Sequence, residues 1–177
     1  RWAIDTAKVN FEARRVIDAV FGSDPVAKKE GRQRKLFASA ITPAGFQNYL
    51  SSIITTGKVY MIKGNPGTGT EKILEKVKDA AIERGYFVEL YYCGLIPTKL
   101  EHIVIPEKDV SFTTLNKYHD SGVEIYEEIN LNDYLDKNVI ETNAEVLKYN
   151  EATFEALINK AIETIKKAKA LHDKIES

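Results

Sequence analysis

Lys58-Val59-Tyr60-Met61-Ile62-Lys63, followed by Gly64-Asn65-Pro66-Gly67-Thr68-Gly69-Thr70-Glu71, is the stretch on which the fold turns. Its first half is a short apolar run stopped by glycine, the pattern of a buried strand. Residues 70–84 place Ile73, Leu74, Val77, Ala80 and Ala81 on one helical face, and Gly85 is positioned to end that helix. Phe87-Val88-Glu89-Leu90-Tyr91-Tyr92 is a second strand run. Residues 58–92 therefore read as strand, loop, helix and strand, the building block of an α/β fold with a mainly parallel sheet flanked by helices. Two further apolar runs follow at 102–105 and 110–115, and 123–131 reads as another strand or an extended edge.

The loop has the spacing of a phosphate-binding P-loop, Gly-x-x-x-x-Gly-Lys-[Ser/Thr] between a strand and a helix. Gly64 and Gly69 hold the two glycine positions and Gly67 adds a third. Glycines let the backbone turn with positive φ and approach an anion closely. The amide groups of such a loop converge at a helix N-terminus, where negative charge is favoured. Gly64, Asn65, Pro66, Gly67, Thr68, Gly69, Thr70 and Glu71 are thus the candidate phosphate-binding residues. The two chemical positions are altered, with Thr70 in place of the lysine and Glu71 in place of the magnesium-binding hydroxyl. Lys72 lies two residues beyond the first helical position, and a turn of about 200° predicts that it points away from the phosphate side unless the loop shifts register. Glu71 has two readings. It can offer a carboxylate to a divalent ion, or it can close a capping box with Thr68 as N-cap and so occupy part of the anion site itself.

Working outward, residues 2–21 repeat Trp2, Val9 and Val16 every seventh position and read as a helix ended by Gly22-Ser23-Asp24-Pro25. Residues 28–35 are dense in Lys and Arg with Glu30 as the single acid; they read as a solvated linker or as an anion-contacting arm. Thr42 as N-cap and Pro43 at the first helical position predict a helix start, with Ile41 and Phe46 as a hydrophobic staple. From about Val139, a helix of up to ten turns carries Leu147, Phe154, Ala161, Ala168 and Ile175 at seven-residue spacing, with Ile158 and Ile165 in the same frame. Such a seam must be buried, and the N-terminal helix is the expected cover, with a partner chain or a further part of the polypeptide as the alternative. The expected organisation is an N-terminal helix and basic linker at 1–35, an α/β core at 36–137 and a helical appendage at 138–177.

Composition excludes several classes. The chain has 177 residues, 44% of them hydrophobic, enough for a real core. A charged fraction of 29% and the lack of any long apolar run argue against a membrane span. The net charge of −1 leaves no global field to draw nucleic acid. Cys93 is the single cysteine, so no intrachain disulfide or cysteine-based metal cluster can form, and the three histidines show no ligand spacing. No signal peptide is visible and the cytoplasm is the expected compartment. The chain opens on Arg1 without an initiator methionine, which suggests a piece of a longer protein.

Beyond the motif, the chain resembles a bacterial group of P-loop ATPase-like proteins built from two tandem P-loop halves. The stretches that carry the resemblance are Leu36-Phe37-Ala38-Ser39-Ala40-Ile41-Thr42-Pro43, Ile62-Lys63-Gly64-Asn65-Pro66-Gly67-Thr68-Gly69, Val104-Ile105-Pro106-Glu107, Ile129-Asn130-Leu131 and Ala168-Lys169-Ala170-Leu171-His172-Asp173. Residues 1–21 resemble the helix linking the halves, so the chain is most similar to a C-terminal half. The resemblance implies ATP or another nucleotide as ligand, and a second P-loop half or self-association through helices as partner. Members of the group carry Lys-Ser-Thr where Thr70-Glu71-Lys72 stand, and an aspartate at the end of the strand matching 110–114, where this chain has Thr114 or nearby Thr113. Both sides of the Mg2+ site are altered, and the expectation is weak or absent hydrolysis. His119 follows that strand, either near the cleft or on the surface. Cys93 ends the second strand on the ligand edge of the sheet, as an inert buried thiol or a reactive one. Three functions follow: a regulatory or nucleotide-binding module that hydrolyses poorly, a slow ATPase completed by another domain, or a structural pseudo-NTPase that serves assembly.

Overall fold

The computed structural model describes residues 4–65, 67–115 and 123–176. Helix α1, Thr6–Phe21, opens on Asp5, whose carboxylate accepts from Ala7 N (3.0 Å) and Lys8 N (3.2 Å). This supplies an N-cap inside the 2–21 pattern. Gly22 ends α1 with a positive φ of 52°. Strand β1, Gln33–Phe37, follows. The basic stretch 28–35 is therefore no free linker, since its last three residues are strand. Its first part is tied to the C-terminus of a later helix, with Ala27 N donating to Glu83 O and Gly31 N to Ile82 O. Unpaired carbonyls at a helix C-terminus need such donors and favour nearby cations.

Residues 39–48 are not the predicted helix. They form a hairpin of β2, Ser39–Thr42, and β3, Gly45–Asn48, paired antiparallel. Thr42 caps the turn, its Oγ1 accepting from Ala44 N (3.1 Å) and donating to Gly45 O (2.9 Å). Thr-Pro suits the first two positions of a turn as well as a helix start. Gly45, with φ 106°, decides for the turn. Ile41 and Phe46 do meet, as cross-strand partners. A one-turn helix α2, Leu50–Ile53, leads into β4, Lys58–Lys63, then α3, Thr70–Glu83, and β5, Val88–Tyr92. Strands β6, Leu100–Ile105, β7, Val110–Leu115, and β8, Glu127–Asn130, complete the sheet, with one-turn 3-10 segments at Pro106–Lys108 and Leu131–Tyr134. A short α4, Lys137–Thr142, precedes α5, Ala144–Glu176.

The six-stranded sheet has the order β1-β5-β6-β7-β4-β8, and only β6 runs against the rest. The protein is α/β with a mostly parallel sheet, as the 58–92 pattern predicts. That unit is not a simple neighbour pair, however, because β6 and β7 lie between β4 and β5. Strand alternation sorts side chains to two faces. Tyr60, Ile62, Leu90, Ile103 and Phe112 join α1 and α3 in the larger core, while Val59, Tyr91 and Val104 meet Leu50 and Ile54 on the other face. Tyr60 stacks on Phe112 with ring centroids 5.0 Å apart.

The long C-terminal helix does not pack on the N-terminal one. Helix α1 spends its apolar face, Val9, Ala13, Val16 and Phe21, on α3 and the sheet. No such face is left for α5, whose main neighbour is β2. No helix among the described residues is long and apolar enough to cross a membrane.

Candidate functional site

The chain leaving β4 crosses through α3 toward β5 on one side, and the chain leaving β7 passes to β8 on the other side of β4. The strand order thus splits at the carboxyl ends of β4 and β7. That is where open α/β sheets hold their ligands. The glycine loop sits there, directly after Lys63, and Thr114 of β7 lies opposite Ile62 of β4.

The three loop glycines serve different purposes. A Cβ on Gly64 would lie 2.1 Å from Thr68 Oγ1 and 2.9 Å from the Thr70 methyl, so glycine here permits a close approach. Gly67 and Gly69 adopt φ of 88° and 85°, in the left-handed region. Thr68 turns back on Asn65, its amide N–H donating to Asn65 O at 3.1 Å and its hydroxyl to the same oxygen at 2.8 Å. Asn65 N in turn donates to Asn132 Oδ1 (2.9 Å), and Asn132 N to Asn130 Oδ1 (3.2 Å). The 3-10 segment after β8 therefore anchors the loop. Asn132 went unnoticed in sequence because its contact is 67 residues away. Pro66 and His119 lie outside the described residues.

One expectation about the first turn of α3 is corrected. The capping box does not form. Gly69 is the N-cap, no side chain caps the helix, and Glu71 is the second helical residue rather than the third. Thr68 lies outside the helix with its hydroxyl committed to Asn65, and Glu71 Oε2 is 3.5 Å from Thr70 Oγ1 instead. The aliphatic chain of Lys72 slants back toward the start of its helix, with Cδ 3.3 Å from where a Cβ on Gly69 would lie, as helical side chains do. Thr70, at the lysine position, is 8% exposed and its methyl packs beneath Gly64.

The remaining candidates are spread along the same sheet edge. Thr114 is buried, and its Oγ1 has no hydrogen-bond partner among the described residues. Its neighbour Thr113 faces the other way and bonds His102 Nδ1 (2.8 Å). Cys93 is buried, and that burial pushes its thiol pKa up, with the Glu101 carboxylate adding to the shift. A thiolate is thereby disfavoured. Two shallow surface cavities lie away from the loop. One of about 380 Å³ lies between Phe37, Tyr92 and Glu75, and one of about 510 Å³ lies by Arg32, Arg84 and Glu107 at the opposite end of the sheet. Neither is lined by loop residues. Chemically, the loop offers backbone amides at an uncapped helix N-terminus, with a carboxylate on one side and no lysine at the position that would offset it. Comparison with protein-family models, curated proteins and solved structures gave no match.

Proposed function

We propose that the 64–69 loop and the start of α3 form a degenerate P-loop that binds ATP or another nucleotide weakly and hydrolyses it poorly or not at all. The observation that carries this reading is the N-terminus of α3, open to an anion because no side chain caps it. It follows the carboxyl end of β4, where the strand order splits, at the end of a glycine loop of P-loop spacing. Thr70 and Glu71 supply neither the lysine nor the Mg2+-binding hydroxyl, and Thr114 supplies no carboxylate at the end of β7. Mg2+ is accordingly not expected to strengthen binding. A second reading, a structural module that serves assembly, is favoured by a different observation: the apolar seam of α5 is largely uncovered.

Calorimetry with ATP, ADP and GTP, with and without Mg2+, tests the first reading. Weak, magnesium-independent binding is expected, and no heat at millimolar nucleotide removes the ligand from the account. The double variant Thr70→Lys with Glu71→Ser should bind ATP about a hundredfold more tightly and in a magnesium-dependent way. One restored charge-assisted contact and one removed repulsion together are worth about 3 kcal/mol. ATP turnover by the parent chain that Lys72→Ala abolishes would overturn the low-hydrolysis reading and assign the missing charge to Lys72.

A further inference from the structure

Two observations meet at the start of α3. The helix opens on Gly69, and no side chain competes with an anion for its first amides. Close by on the sheet, Thr114 is 5% exposed, and its Oγ1 has no hydrogen-bond partner among the described residues. Thr114 shares a strand face with Phe112, which packs in one core cluster with Ile73 and Leu74 of α3. It pairs with Ile62, the last residue but one of β4 before the glycine loop. The hydroxyl therefore lies on the α3 side of the sheet, at the strand ends from which the loop leaves. A buried hydroxyl without a partner is costly unless a ligand supplies one. A third group sets the chemistry. Glu71, the second residue of α3, is half-buried, and its Oε2 lies 3.5 Å from Thr70 Oγ1. That contact turns the carboxylate toward the helix start.

We propose that this site takes a phosphate group that still carries a proton, and that Glu71 is the residue that selects it. The inference rests on the anion-binding reading of the loop and names what enters it. An ionised carboxylate only accepts hydrogen bonds. Beside an anion with no proton, such as sulfate, its oxygens meet other oxygens and the two charges repel. Beside a P–OH group it accepts a charge-assisted hydrogen bond, while the amides of α3 and the Thr114 hydroxyl donate to the remaining oxygens. Thr70 stands at the lysine position, so the carboxylate is left without the cation that a P-loop places there. The hydrogen bond from the ligand itself takes over that part. The chemistry fits inorganic phosphate, which keeps at least one proton throughout the neutral range. It also fits the terminal group of a phosphomonoester or nucleotide, whose last proton leaves at about pH 6. The inner phosphates of a nucleotide carry no such proton and are excluded.

Calorimetry of the full chain with sodium phosphate and with sodium sulfate, at matched ionic strength, tests the selection. Phosphate should bind about tenfold more tightly than sulfate, the worth of one charge-assisted hydrogen bond. Glu71→Gln keeps the size of the side chain but can donate as well as accept, so it should remove the preference by strengthening sulfate. Thr114→Val removes the buried hydroxyl with little change of shape. It should weaken the binding of phosphate without lowering the melting midpoint. Sulfate bound as tightly as phosphate, or a preference that survives Glu71→Gln, overturns the proposal. So does a Thr114→Val chain that binds phosphate as the parent does, and so does the lack of any heat from phosphate. Nucleotides report separately. Selective phosphate binding with no heat from ATP, ADP or GTP keeps this inference and assigns the site to free phosphate. Nucleotide binding by a chain that does not prefer phosphate to sulfate keeps the nucleotide reading and removes this one.

Discussion

Glu12 shows how much a single side chain can do in this protein. It sits on α1 with 9% of its surface exposed, and both carboxylate oxygens are engaged. Tyr134 OH donates to Oε1 (2.9 Å), and Arg15 Nε donates to Oε2 (2.8 Å). Arg15 also pairs with Glu127 of β8, and that bond, with Glu12 behind it, holds the guanidinium pKa above its usual value. One network thus ties α1 to the edge strand and to the 3-10 segment that anchors the glycine loop. Glu12→Ala should lower stability by about 2 kcal/mol, the loss of bonds to a charged group discounted for the 38% exposure of Arg15. Thermal melts should show a fall of about 4–8 °C. Glu12→Gln should recover part of it by keeping an acceptor for Tyr134. No spacing rule marks Glu12, because its partners lie at 127 and 134. A charged residue on a helix reads as solvated until the tertiary neighbours are known.

At the scale of the element, the glycine loop and the 39–48 hairpin show where sequence patterns suffice and where they do not. The glycines at 64, 67 and 69 were legible as a strand-to-helix loop, but their separate roles were not. Gly67 has a positive φ and open space around its missing Cβ. Gly67→Ala should therefore cost only the left-handed backbone term, about 1 kcal/mol. Gly64→Ala instead drives a methyl into Thr68 and Thr70 and breaks the Thr68 to Asn65 closure. A cost of about 2–3 kcal/mol is expected, in the range of overpacking. Chemical denaturation of the two variants checks the ranking, and a larger loss for Gly67→Ala would mean that the loop is held by its dihedral angles rather than by the Thr68 contact. In the hairpin, Thr42-Pro43 satisfies the rules for a helix start and for a turn equally. Only the pairing of Ile41 with Phe46 and the positive φ of Gly45 separate them.

At the scale of the whole molecule, α5 lies outside the core of the α/β body. The core clusters contain no residue of α5, and no α5 residue is fully buried. Truncation after Asn143 should therefore leave the body folded, with the melting midpoint lowered by no more than about 4 °C, roughly the worth of the β2 contact. Circular dichroism should lose helical signal in proportion to the residues removed. A truncated chain that fails to fold would show that α5 completes the body rather than extends from it.

Local sequence patterns were enough to determine the central strands and the three long helices. The strands at 58–63, 87–92 and 110–115 follow from short apolar runs and the helices α1, α3 and α5 from apolar residues at helical or seven-residue spacing, and each pattern needs only neighbours in the chain. The loop position followed too, since glycines between a strand pattern and a helix pattern leave few alternatives. Tertiary structure alone decided the strand order, the cover of α1 by α3, the tie of residues 27–31 to the end of α3 and the anchoring of the loop through Asn132. Each of these depends on a partner distant in sequence. Which distant surfaces meet is settled by competition for the same apolar area. For α1 that competition went to α3 and the sheet, and the seam of α5 was left facing outward.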